Sequence, residues 1–227
     1  MKQSISAWNE VYKNGKHLSI WPWSDIVSNF YKLFPLEEIL NRQLPLKVLE
    51  LGCGAGANIP LFNNEMIHYT GVDISSHIVD KLKTNYPNCS FRIGDFTQKL
   101  DFKENTFDLI IDRASLTHNN YESIVKCLIQ CRHVLKKKGY FLGVDWFSKE
   151  HQEFKKGSPI DENTRVFKGD NYFSNLGPVH FSDEKDILKL FSKFEIVEIT
   201  HKKHISQGEK IKIEKFASYN IIARKND

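Results

Sequence analysis

The stretch Leu46 to Asn58, LKVLELGCGAGAN, constrains this chain more than any other. A short apolar run ends at Glu50-Leu51 and breaks into Gly52, Gly54 and Gly56 ahead of a helix start. A strand buried on both faces reads as such a run, and glycines directly after it let the backbone turn tightly and approach a ligand. The expected product is a strand, a glycine-rich turn and a helix whose free N–H groups face a bound cofactor.

Beyond the turn the pattern repeats. It predicts a helix over 57–63, a strand over 67–72 followed by Asp73, a helix over 75–84, a strand over 89–93 followed by Asp95-Phe96, and a strand over 107–111. A helix follows over 121–135, with Ile124, Leu128, Cys131 and Leu135 on one stripe, and a fifth strand over 140–146. Lys136, Lys137 and Lys138 read as cations closing that helix at its C-terminus. Strands alternating with helices at this spacing indicate a parallel sheet with helices on both faces. Residues 148–180 show no sustained periodicity and read as a cap-like insertion; a helix over 182–192 and strands over 194–201 and 211–223 close the chain, with Ser206 to Glu209 as a hairpin loop.

Residues 1–44 form a separate N-terminal flap: a helix over 5–13, a Trp21-Pro22-Trp23 cluster, and a helix capped by Ser24 or Asp25 and running to about Phe34. It reads as an aromatic anchor on the core or as a lid over the cofactor. The main domain occupies 45–227.

Composition narrows the function classes. With 227 residues, 41% apolar, and a formal charge of only +4, the chain supports one well-buried core and lacks the basic footprint of a dedicated nucleic-acid binder. No run reaches the length of a membrane span and the N-terminus has no signal-peptide core, so a cytoplasmic monomer or homodimer is expected. Cys53, Cys89, Cys127 and Cys131 are expected as free thiols; Cys127 and Cys131 lack the second ligand pair of a zinc site, and no metal is expected.

Four features fall at the C-terminal ends of successive strands, where open α/β sheets bind ligands: the glycine turn, Asp73, Asp95-Phe96, and Asp112-Arg113. Asp73 lies where a carboxylate can accept both hydroxyls of a ribose, although an acid there also caps a helix. Together they point to a nucleoside-type cofactor. Gly52-x-Gly54-x-x-Ala57 also fits a loose dinucleotide fingerprint, whereas the missing Lys-Ser/Thr excludes a P-loop.

VLELGCGAGANIP, GVDIS, IGDF, FDLIIDRASLTH and LKKKGYFLGVDW resemble, in order and spacing, the successive motifs of class I S-adenosylmethionine-dependent methyltransferases. The resemblance covers about Leu46 to Trp146. It implies a Rossmann-like, seven-stranded, mostly parallel α/β sheet of order 3-2-1-4-5-7-6, with S-adenosyl-L-methionine as cofactor. Carried over residue by residue, Gly52, Cys53, Gly54 and Gly56 would border the methionine part and ribose, and Glu50 would support the loop or the amino group. Asp73 and Ile74 would face the ribose, Asp95 and Phe96 the adenine, and Asp112 the methionine end. Trp21, Trp23 and Tyr31 are candidates for an aromatic wall near a sulfonium or acceptor. His118, just past strand four, is the candidate base or substrate ligand, with helix capping by its neighbours as the alternative. Arg113, Asp145, His151 and His180 are weaker acceptor-side candidates; Arg113 could clamp an anion or pair with Asp112. The Asn/Asp-Pro-Pro-aromatic tetrad of many amino-group methyltransferases is absent, Asp112-Arg113-Ala114-Ser115 standing in its place. A small-molecule acceptor is implied, a metabolite, sugar or polysaccharide precursor methylated at oxygen or nitrogen. A non-catalytic S-adenosylmethionine-binding protein and an NAD(P)-dependent oxidoreductase are the alternatives.

Overall fold

The computed structural model describes residues 2–205 and 215–226. Among the described residues ten strands and seven α-helices follow in order: α1 Lys2–Lys13, α2 Ser24–Leu33, α3 Leu36–Leu40, β1 Leu46–Leu51, α4 Ile59–Phe62, β2 Ile67–Asp73, α5 Ser76–Asn85, β3 Ser90–Ile93, β4 Phe107–Arg113, α6 Tyr121–Val134, β5 Leu135–Phe147, β6 Ser158–Pro159, β7 Thr164–Val166, β8 Val179–His180, α7 Glu184–Leu190, β9 Glu195–Ile205 and β10 Lys215–Arg224. Seven strands make one sheet in the order β3-β2-β1-β4-β5-β10-β9. Counting only these seven along the chain, that is the expected 3-2-1-4-5-7-6. The first five run parallel, and β10 is antiparallel to both β5 and β9.

Side-chain alternation explains why both faces are covered. In β1, Leu46 and Val48 point to one layer, built with Ile26, Phe30, Ile59 and Val79 of the helices α2, α4 and α5. Leu49 and Leu51 point to the other, built with Ile124, Leu128 and Cys131 of α6 and Ile187 of α7. Each such aliphatic side chain removed from water contributes about 1.5–3 kcal/mol. Cys127 and Cys131 are fully buried in the second layer with their sulfurs 3.9 Å apart, filling space as small hydrophobes. Among the described residues no helix is long and apolar enough to cross a membrane, and no group of three or more His, Cys, Asp or Glu could hold a metal ion.

Several boundaries differ from expectation. The helix after the glycine turn is a single turn, α4, since Pro60 gives up an N–H at its start and Asn63 already leaves helical geometry. Lys136–Lys138 do not close a helix: α6 ends at Val134 and the lysines run inside β5, where Lys136 Nζ meets Asp108 Oδ2 at 2.8 Å. That carboxylate also accepts from Lys47 N at 2.9 Å, so Asp108 ties three strands at the end of the sheet opposite the glycine turn. The segment between Pro35 and Pro45 contains α3. The expected hairpin loop at 206–209 and the start of the last strand at 211–214 lie outside the described residues.

The 148–180 insertion has structure of its own. β6, β7 and β8 form a small antiparallel sheet, and Phe147, Phe167, Phe173, Val179 and Phe181 bury one another beneath it. His151, Phe173 and Leu176 of this segment, referred to below as the cap, line one cavity together with Arg113 at the end of β4 and Asp145 near the end of β5.

Candidate active site

The parallel register brings the strand ends level: Leu51 pairs with Val72 on one side and Asp112 on the other, and Asp112 pairs with Gly143. Loops leaving these ends, the cap and α1 surround one cavity of about 560 Å³. That volume suits a nucleoside-sized ligand together with a small second molecule.

The glycine turn forms one wall. Gly52 and Gly54 have φ of +63° and +51°, a region L side chains avoid, and a Cβ on Gly52 would lie 2.2 Å from Ser115 Oγ. Asp73 holds the turn in place: its Oδ2 accepts from Gly54 N and its Oδ1 from Ser75 N, both at 2.9 Å. The helix cap proper belongs to Ser75, whose Oγ accepts from Ile78 N. Burial raises the Asp73 carboxyl above the ordinary range, partly offset by these backbone N–H groups. Asp95 at the end of β3 closes its own turn through Thr97, and Phe96 lies beside it on the cavity wall.

Glu50 connects the turn to the flap. Its Oε2 accepts from Tyr69 Oη at 2.5 Å and its Oε1 from Asn58 Nδ2 at 2.8 Å; Asn58 Oδ1 in turn accepts from Trp23 N at 3.2 Å. Burial lifts the Glu50 carboxyl to about 7, with the Asp73 charge adding and the two donors opposing. Asn58 therefore joins the flap to the first strand, a link that neither residue's own motif signals.

At the end of β4 the two polar neighbours divide. Asp112 is fully buried and does not line the cavity; its Oδ1 accepts from Leu116 N at 3.0 Å, its Oδ2 has no partner among the described residues, and burial lifts it to about 7. Arg113 pairs not with Asp112 but with Asp145, at 3.0 Å, and its guanidinium lies 3.7 Å over the Trp23 ring. Asp145 also accepts from Lys202 Nζ at 2.8 Å, and Lys202 pairs with Asp25 at the start of α2. Two cations and two anions thus balance, and they bind the flap to β5 and β9.

The remaining walls are aromatic. His118 ends a 3-10 turn, Leu116–His118, that begins right after Ser115. Its ring is edge-on to Trp8 of α1, Phe147 and Phe173, with centroids 5.3, 5.7 and 5.8 Å away. Burial, then the positive neighbours His17 and Arg113, push its pKa down to about 3, so the ring is neutral at ordinary pH. His151 of the cap touches the same two phenylalanines at 5.7 and 5.9 Å, and burial lowers it to about 4.

The structure thus brings Trp23, Glu50, Gly52, Cys53, Gly54, Asp73, Ile74, Asp95, Phe96, Arg113, His118, Asp145 and His151 to one cavity. It leaves five expected residues outside, Asp112 as described above and four more. Gly56 packs, since a Cβ there would sit 2.6 Å from Ile59 and 2.7 Å from Leu82. Trp21 is 74% exposed, and Tyr31 lies on the outer side of α2 against Phe30. His180 is fully buried, bonded to Asp186 Oδ2 at 2.8 Å and Thr164 Oγ1 at 3.1 Å, where it holds the cap to α7. Sequence reasoning missed Trp8, Tyr12, His17, Phe147, Tyr172 and Phe173 as cavity residues. Trp8 and Tyr12, four apart on one helix face, carried the one usable signal.

Residues 48–139 match a family model described as a methyltransferase domain. The chain is 35% identical over 104 residues to the human mitochondrial arginine-hydroxylase NDUFAF5, covering 45% of this chain and 29% of that protein. It is 28% identical over 146 residues to a demethylmenaquinone methyltransferase of Leptospira interrogans, covering 60% and 57%. The chain therefore spans between about a third and a little over half the length of these curated relatives. Among solved structures, a Methanosarcina mazei protein described as a SAM-dependent methyltransferase superposes with a TM-score of 0.68 at 20% identity over 92% of this chain and 99% of its own. The Burkholderia thailandensis 1,6-didemethyltoxoflavin-N1-methyltransferase, solved with its substrate and S-adenosylhomocysteine, superposes with a TM-score of 0.64 at 18% identity over 100% of this chain and 88% of its own. These two likenesses establish the fold.

Proposed function

We propose that this chain, whose residues 48–139 match a methyltransferase-domain model, is a class I, S-adenosylmethionine-dependent enzyme that transfers a methyl group from S-adenosyl-L-methionine to a small-molecule acceptor enclosed under the cap. One observation carries the reading: a Cβ-free turn at Gly52 and Gly54, clamped by Asp73, opens on the same cavity as a wall of aromatic rings. The residues fit the cofactor. Asp73 keeps free lone pairs for ribose hydroxyls, and Asp95 with Phe96 suits an adenine edge and face. Glu50 supplies negative charge on the methionine side, where an amino group and a sulfonium would lie.

When bound, the cofactor supplies an electrophilic methyl carbon. The protein's part is alignment and exclusion of water. Trp8 and Trp23 close one side and the cap closes the other, so an acceptor is held against the methionine end of the site. His118, neutral at ordinary pH, orients the acceptor through a ring nitrogen; so low a pKa makes it a weak proton acceptor and favours a ligand's role over that of a base. Arg113, already paired with Asp145 and stacked on Trp23, acts as a wall and a donor rather than as an anion clamp. The modest formal charge of +4 agrees with a metabolite acceptor.

Calorimetric titration with S-adenosylmethionine, S-adenosylhomocysteine, NADH and NADPH tests the reading. Micromolar binding of the first two alone is expected. Binding of a nicotinamide cofactor instead would reassign the glycine turn to a dinucleotide. Binding of the first two, with no turnover of any acceptor in a broad metabolite panel, would favour a non-catalytic binding protein.

A further inference from the structure

The acceptor side of the cavity has an unusual polar inventory. Its formal charges cancel within the Arg113, Asp145, Lys202 and Asp25 set. What is left without a hydrogen-bond partner among the described residues is His118 Nδ1, His151 Nε2 and Arg113 Nε, all buried atoms of residues on the cavity wall. His151 is 2% exposed, and its Nδ1 accepts from Glu153 N at 3.1 Å. A neutral imidazole has one donor and one acceptor nitrogen, so Nε2 carries the proton and is a buried donor in need of an acceptor. Buried donors in folded proteins are nearly always satisfied, and an exception on a cavity wall marks a place for a ligand atom. Phe147 and Phe173 flank both imidazoles on the cavity wall, with ring centroids within 6 Å of each, and Phe216 lies 5.1 Å from His151.

Resting on the methyltransferase reading above, we propose that the acceptor is an uncharged, planar aromatic or heteroaromatic compound bearing a ring hydroxyl or N–H. It slots against Phe147 and Phe173, with His118 and His151 reading its polar edge. His151 Nε2–H donates to an oxygen or ring nitrogen of the compound, and His118 takes the second polar position, near Ser115 and the glycine turn. Flat rings suit edge-to-face and offset contacts with this box. Three unpaired polar atoms match the one or two polar groups of such a compound. They fall short of the hydroxyl on nearly every carbon of a sugar, each of which needs a partner once buried. An anionic acceptor would have to compete with Asp145, whose charge already offsets Arg113 and Lys202, whereas a neutral acceptor atom can take the open Arg113 Nε–H without disturbing that balance.

The test uses the full chain saturated with S-adenosylhomocysteine, whose binding is measured first. Three probes are then titrated: 1-naphthol, naphthalene and methyl glucoside. Expected is binding of 1-naphthol, roughly tenfold or more weaker binding of naphthalene because the site's buried donors then stay unpaired, and no binding of the glucoside. His118→Phe and His151→Phe keep the box aromatic and should each shrink the ratio between the first two probes. Loss of cap packing alone would weaken both probes together and leave the ratio unchanged. Equal binding of 1-naphthol and naphthalene, preference for the glucoside, binding of no probe, or an unaltered ratio in both variants would overturn the proposal while leaving the cofactor assignment intact. An unaltered ratio in His151→Phe alone would mean that its N–H is spent on the Phe216 ring and would overturn that half of the recognition. Failure of S-adenosylhomocysteine to bind at all would overturn the methyltransferase reading itself.

Discussion

Asp112 allows a quantitative prediction. It is fully buried, one carboxylate oxygen lacks a well-formed hydrogen bond among the described residues, and burial, opposed by the nearby donors of Leu116, Trp146 and Ser115, lifts its pKa from the ordinary 3.8 to about 7. The folded state therefore resists ionisation that the unfolded chain undergoes freely. The resulting penalty is absent below the unfolded value, grows as pH rises from there to about 7, and is complete above it. From those two values it amounts to roughly 2 kcal/mol at about pH 5 and about 4 kcal/mol at about pH 8. Asp112→Asn keeps the shape and the bond from Leu116 N but cannot ionise; its amide leaves a buried donor unpaired, at a cost of about 1–3 kcal/mol. The variant should thus be close to wild type, or slightly less stable, at about pH 5, and more stable by roughly 1–3 kcal/mol at about pH 8. The assay is urea unfolding at both pH values, with unchanged m confirming that the same transition is compared. A stability difference between the two proteins that is the same at both pH values would refute the reasoning.

The other predictions concern the site and its supports. Gly52→Ala places a Cβ against Ser115 on a left-handed backbone, so it should lose about 1–2 kcal/mol from the backbone alone and most affinity for S-adenosylhomocysteine; near wild-type calorimetry would contradict the tight-turn account. Binding a sulfonium favours ionised Glu50, whose carboxyl sits at about 7, so the affinity ratio of S-adenosylmethionine to S-adenosylhomocysteine should rise as pH climbs through that value. A flat ratio would remove Glu50 from the cation's surroundings. Asp186→Ala strands the buried His180 and Asn163 and should cost about 2–4 kcal/mol in chemical unfolding with unchanged cofactor affinity of the folded protein; a selective loss of affinity would return His180 to the site.

What the sequence disclosed follows from how local its signals are. The glycine turn, Asp73 and Arg113 were readable because each stands at the end of an apolar strand, and Asp95 because it follows the next strand by two residues; parallel registration brings such ends to one level. The order of the seven strands came from resemblance, as no periodicity specifies which strand lies beside which. Trp21 and Trp23 were indistinguishable by composition, yet only Trp23 stacks on Arg113 while Trp21 faces outward. His180 and His151 looked alike as histidines in an irregular stretch. One is consumed by Asp186, six residues away, and the other keeps an unpaired donor on the cavity wall. The aromatic wall of Trp8, Phe147 and Phe173 is assembled from α1, β5 and the cap, segments far apart in the chain that only tertiary packing joins.

The most direct test is amide hydrogen exchange with and without S-adenosylhomocysteine. The account predicts slowed exchange over residues 51–58 of the glycine turn and over 7–13 of α1, which closes on it through Tyr12. Protection confined to other elements, or binding with no protection of the glycine turn, would contradict the assignment of this cavity as the cofactor site.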